Sequence, residues 1–141
     1  MTARKRLVPI VLPWLLIVVV GALAAWLRYG FIEPPAFGHA CDDGNAPSWC
    51  WARQLVVIGF NTYGYGIAAI IVTVLALIAK KPWLAASAAA LGVFALTLYC
   101  YDAGAVALLI GSLRLLRLQA SRMPAPRHPD RHGDRQVQPQ P

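Results

Sequence analysis

Three cysteines are the residues of this chain most able to change covalent state, and their spacing divides them into a pair and a single. Cys41 and Cys50 have eight residues between them, in a stretch rich in Pro, Gly, Asp and Asn. A loop of that size closes easily, so the expected chemistry is a structural disulfide, stabilising by about 2.5 to 3 kcal/mol on the chain-entropy model. Cys100 stands apart, between Tyr99 and Tyr101. If it approached the pair, thiol exchange would give a redox function, which makes Cys100 the candidate redox residue.

Metal chemistry is less well supported. His39, Cys41, Asp42, Asp43 and Cys50 offer nitrogen, sulfur and oxygen donors, but their spacing matches none of the recurring zinc patterns. His128 and His132 are four apart with Pro129 between them, in a segment with no reason to be helical. No metal and no other cofactor is expected. Nor is there a phosphate-cradling Gly-rich loop with Lys, a His-Glu-X-X-His, or a nucleophile elbow.

A second group of polar residues lies inside apolar sequence. Asn61, Thr62, Tyr63 and Tyr65 are interleaved with Gly59, Gly64 and Gly66. Asn61 and Tyr65, four apart, share a face if the segment is one helix. Together with Tyr99 and Asp102 they form a candidate intramembrane polar site for a lipid headgroup, a quinone or a partner helix. The competing reading is helix glue, in which Asn and Thr hydrogen-bond neighbouring helices and the glycines permit close approach. Asp102 is expected to cap the helix that follows it. Gly104 with Gly111, and Ala86 with Ala90, have spacings suited to tight packing.

The elements that must position these residues are membrane spans. Of 141 residues 58% are apolar and only 13% charged, a composition made for lipid. The net charge of +7 resides at the ends of apolar runs and in a Pro-rich tail, so nucleic-acid binding is not expected. After a cytoplasmic N-terminus at 1–6, a first span covers 7–27, with Pro9 in its first turn and Pro13 bending it deeper in. Its basic start and Ala22-Leu23-Ala24 also match a cleaved secretory signal, but its length favours an uncleaved anchor.

Residues 28–53 read as an irregular loop, because Pro, Gly and Asx residues are dense there. A second span follows at 54–79 and a turn at 80–81. The apolar stretch from Trp83 to Leu113 would make a helix of about 46 Å, too long for one crossing. A break at 100–102 therefore gives spans at 82–99 and 103–118, followed by a disordered tail at 119–141. Three spans remain an alternative if the last segment is interfacial, since Arg114 and Arg117 make its end amphipathic.

With four spans every basic cluster faces one side: Arg4, Lys5 and Arg6; Lys80 and Lys81; and the arginines from Arg114 onward. The expected fold is thus an all-α four-helix bundle of the bacterial inner membrane, multi-pass, with both termini cytoplasmic and the cysteine loop periplasmic. The setting of the cysteines resembles that of four-helix membrane oxidoreductases, which pass electrons from thiols to a quinone, in helix count and sidedness. Those enzymes use a close pair such as Cys-X-X-Cys and a second pair, where this chain has one wide pair and an odd cysteine.

The preferred function is a non-enzymatic accessory or assembly subunit, whose partners are membrane lipids and another membrane or periplasmic protein, or a second copy. The alternatives are a periplasm-facing thiol-disulfide oxidoreductase and a small carrier or lipid- or quinone-binding protein.

Overall fold

The computed structural model describes residues 3–42 and 47–122. Every element among them is helical: α1 (Ala3–Leu27), a π-helical turn (Arg28–Ile32), α2 (Pro35–Asp42), α3 (Cys50–Asn61), α4 (Gly64–Ile78), α5 (Pro82–Thr97) and α6 (Tyr101–Ala120). By length and composition, Val8–Ile32 and Tyr101–Ala120 can each cross a membrane. A third crossing is available if α3 and α4, bent by 63° at their junction, are one broken span.

Several boundaries differ from the sequence reading, each for a local reason. Helix α1 starts at Ala3, so Pro9 and Pro13 both lie inside it, and Pro9 is not in the first turn. Its helical path runs past Leu27 through the π-helical turn to Ile32. Most of the described residues of 28–53 are therefore helical and not an irregular loop. Pro35, with its fixed φ and missing N–H, opens α2, and α3 begins at Cys50.

The segment 54–79 is not one helix, because Tyr63 takes a left-handed conformation with φ 59° and divides α3 from α4. The break expected near residues 100–102 does occur, one step earlier. Tyr99 is left-handed with φ 69°, and the Cys100 amide reaches back to the Ala95 carbonyl at 2.9 Å. That is the bond of a Schellman motif, here with Tyr in place of the usual Gly. Helix α6 continues through Gln119 and Ala120, so these two residues are not tail. The rest of the expected tail, 123–141, with His128 and His132, lies outside the described residues, as do Asp43 and Asn45.

The chain runs up through α1, down through α3 and α4, up through α5 and down through α6. Helix α5 is at the centre, touching α1, α4 and α6. It is apolar on all sides and ends in a tight hairpin to α6. The hairpin is packed on small residues: Ala85, Ala89, Gly92 and Ala95 from α5 meet Gly104, Ala107 and Gly111 from α6, all buried. A Cβ added at Gly92 would collide with the backbone of Leu108, and one at Gly104 with the backbone of Leu96.

Size is distributed in reverse of a water-soluble protein. The interior is dominated by Ala and Gly, with Leu98, Leu115, Pro13 and Cys100 the largest side chains fully enclosed. Leu, Ile, Val and Trp line the outside of α1, α4 and α6; Val18, Ile78 and Leu109 are 67, 75 and 62% exposed. In water the large apolar groups would gain most from burial, about 1.5 to 3 kcal/mol each, and would be turned inward.

Candidate functional site

Among the described residues, one end of the bundle joins charged and aromatic side chains into a linked cluster. Arg28, in the π-helical turn, donates from Nε to Glu33 Oε1 at 2.8 Å and from a terminal nitrogen to the Thr97 carbonyl at 3.0 Å. Its guanidinium also lies 4.2 Å from the centre of the Tyr99 ring and 5.2 Å from that of Tyr29. Tyr99 donates its hydroxyl proton to the same Glu33 oxygen at 2.9 Å. The left-handed backbone at Tyr99 thus turns a ring outward from the hairpin onto Arg28 and Glu33. The Arg28 guanidinium, and then the Tyr99 hydroxyl, hold the Glu33 carboxyl below its ordinary pKa by hydrogen-bonding the charged form.

Arg53 performs a related task. From α3 it donates to the carbonyl of Ile32, the last residue of the π-helical turn, at 3.1 Å. At the other end of the bundle Arg114 of α6 donates to Leu77 O in the last turn of α4 at 3.2 Å. Three arginines therefore satisfy carbonyls at the C-terminal ends of three helical segments, where orphan acceptors and the negative end of the helix dipole favour a cation. A fourth tie joins α1 and α6: Trp14 Nε1 donates to Gln119 Oε1 at 3.1 Å, and Gln119 Nε2 donates to Ile10 O at 3.0 Å.

Above the Arg28 cluster lies a small lobe made by α2 and the start of α3. The Cys41–Cys50 disulfide joins the end of α2 to the first residue of α3, with Cα atoms 5.7 Å apart. Phe31 of the π-helical turn packs with Phe37 and Trp49 of the lobe as a partly exposed triad, with ring centres 5.3 to 6.2 Å apart. Aromatic pairs of this kind add about 0.5 to 1.5 kcal/mol beyond their burial. His39 and Asp42 are exposed on α2. A covalent clamp and an aromatic triad tie α2 to its neighbours, and α2 has little contact with the bundle below.

The sequence-predicted residues are distributed as follows. Cys41 and Cys50 are bonded to each other. Cys100 is a free thiol, fully buried among Ala69, Ala95 and Ala107 with Phe60, Tyr65 and Leu91 around them. A reactive thiol needs access and a stabilised thiolate, and this setting supplies an apolar wall instead. Asn61 and Tyr65 do not share a face, because the chain breaks at Tyr63 between them; Asn61 is exposed while Tyr65 points inward, its ring against Phe94 at 5.2 Å and its hydroxyl 3.4 Å from Val56 O.

Gly59 makes room for that ring, since a Cβ there would come within 2.5 Å of it. Asp102 is exposed in the first turn of α6, with Cys100 in the capping position, so its carboxylate acts on the helix dipole and not as the cap. Tyr99, the remaining member of the proposed polar set, faces Glu33 and not Asn61 or Tyr65.

Among the described residues no three His, Cys, Asp or Glu side chains gather where a metal ion could sit. The residues missed by sequence reading are Arg28, Glu33, Arg53, Arg114, Trp14 and Gln119. The available signal was an arginine just past an apolar run, which can turn back onto helix C-terminal carbonyls. No protein family, characterised relative or solved structure matches the chain, so the site is read on its geometry alone.

Proposed function

We propose that the protein is a four-span membrane scaffold whose disulfide-clamped lobe presents α2 to a partner protein at the membrane surface. The observation that carries the membrane part is the reversed size distribution, Ala and Gly inside with Leu, Ile, Val and Trp outside. Between helices in lipid there is no hydrophobic drive, and close backbone approach through small residues is what holds them. Exposed Trp26, Tyr29, Trp51 and Tyr101 at the lobe end suit the interfacial aromatic belt.

Charge supports an orientation with the lobe periplasmic and Lys80, Lys81, Arg114, Arg117 and Arg122 cytoplasmic, as in a bacterial inner membrane. Arg28 and Arg53, the two cations at the lobe end, bind a carboxylate and helix carbonyls, so they do not oppose that orientation. Helices α4 and α5, of 15 and 16 residues, are the shorter spans in this reading.

The accessory role rests on the lobe. A covalent clamp and an aromatic triad tie α2 to α3 and the π-helical turn although it packs little on the bundle, and among the described residues Cys100 is buried among apolar side chains, apart from the disulfide. The test is photo-crosslinking in cells from a reactive amino acid placed at His39, with Leu109 on the lipid-facing side of α6 as the comparison. A discrete protein adduct from His39 and none from Leu109 is expected; no adduct from His39, or the same pattern from both, contradicts the role.

A further inference from the structure

Helix α3 has two different faces. Arg53, Val56 and Phe60 form the inner one: Arg53 is bonded to Ile32 O, and Val56 and Phe60 pack against the buried Ala24, Ile32 and Leu98. Trp51, Leu55 and Ile58, at successive turns, form the outer one, and are 66, 56 and 45% exposed. The polar residues on that side, Gln54, Asn61 and Thr62, are uncharged, and the helix's one charge is turned inward. A helix face meeting bulk water carries charges; one buried in hydrocarbon carries no amides. Trp with Leu, Ile and uncharged amides at the margin is the chemistry of the headgroup boundary.

The backbone sets the same direction. Tyr63, held left-handed, turns α3 by 63° from α4. If α4 stands near the membrane normal, α3 lies at about 27° to the membrane plane. Beyond the bend, α4 carries its own exposed apolar residues, Ile67, Ile71 and Val74.

Resting on the membrane reading above, we infer that α3 is an interfacial helix, seated in the headgroup and glycerol region of the lipid leaflet through Trp51, Leu55 and Ile58, and does not form the outer half of a straight span. The disulfide fixes α2 to the first residue of α3, so a seated α3 sets the height of α2 above the bilayer.

The experiment places single nitroxide labels at 51, 55 and 58, and at 67, 71, 74 and 78 of α4, in nanodiscs of phosphatidylglycerol and phosphatidylethanolamine. Collision with oxygen and with a water-soluble nickel complex then gives depth. Cys100 is buried and the other two cysteines are bonded, so labelling is confined to the introduced sites. The α4 labels, spanning about 16 Å along the helix, report on the membrane reading: their oxygen contact should rise to a maximum near 71 and 74 and fall again.

The α3 labels should all be shallow, within about 5 Å of one another in depth. A steady descent of about 10 Å from 51 to 58 overturns the inference, because that is a continuing span. Protection of all three from both reagents overturns it as well, because a protein then covers the face. Failure of the α4 labels to reach lipid overturns the membrane reading itself.

Discussion

Glu33 is the residue on which the lobe end converges, since Arg28 of the π-helical turn and Tyr99 of the α5–α6 turn both donate to the same carboxylate oxygen. Because its pKa is lowered in the folded protein, its contribution is present above the ordinary carboxylate value of 4.5 and is lost as pH falls through the lowered one. Thermal melting in detergent should therefore show an acid-side loss of Tm below about pH 4.5 that the Glu33→Gln variant lacks. A variant that melts with the unaltered acid-side slope assigns that slope to other groups. Little of this cluster was legible in the sequence. Glu33 and Tyr99 are far apart in the chain, and their meeting depends on a left-handed tyrosine, a conformation that costs about 1 to 2 kcal/mol and that no local pattern announces. The Cys41–Cys50 bond was legible, because loop closure over so few residues needs little help from the rest of the fold.

At the level of elements the α5–α6 hairpin is the firmest unit, and its glycines are where it is most sensitive. At Gly104 a Cβ would lie 2.7 Å from Leu96 Cα and 2.9 Å from Gly92 O, backbone atoms that yield only if the helices part. Gly104→Ala should therefore lower unfolding stability in detergent by about 1 to 3 kcal/mol. Ala105→Leu, next to it but exposed, should change it by less than about 0.5 kcal/mol. Equal effects would mean that the two helices are not packed this closely. An apolar run too long for one crossing made a break near 100–102 readable in advance, and of the small-residue spacings Gly104 with Gly111 lies against α5. The division of 54–79 into α3 and α4 was not, although Asn61, Thr62, Gly64 and Gly66 around Tyr63 are weak helix formers, because the apolar residues on either side were joined into one span. Residues 28–53 misled for the opposite reason: their prolines and glycines signal turns, while Pro35 in fact starts a helix and the disulfide holds it.

Across the whole molecule the described charges are divided between the two ends, with Glu33, Asp42 and Asp102 at the lobe end and Lys80, Lys81, Arg114, Arg117 and Arg122 at the other. The arginines that break this division, Arg28 and Arg53, are tied to helix carbonyls, and the long apolar exterior lies between the ends. An all-helical chain with apolar spans was legible from composition and the lengths of apolar runs, but four spans were expected where two helices, or three crossings with the bent pair counted as one, are long and apolar enough. Which faces pack inward was not legible, because α1, α4 and α5 are apolar on nearly every side. The central claim is the orientation of this bundle across a bilayer, and the most direct measurement is labelling of intact spheroplasts with a membrane-impermeant thiol reagent. After reduction Cys41 and Cys50 should label from outside, while a cysteine introduced at Lys80 should label only once the membrane is permeabilised. Labelling at position 80 in intact spheroplasts, or of the lobe cysteines only after permeabilisation, would contradict the account.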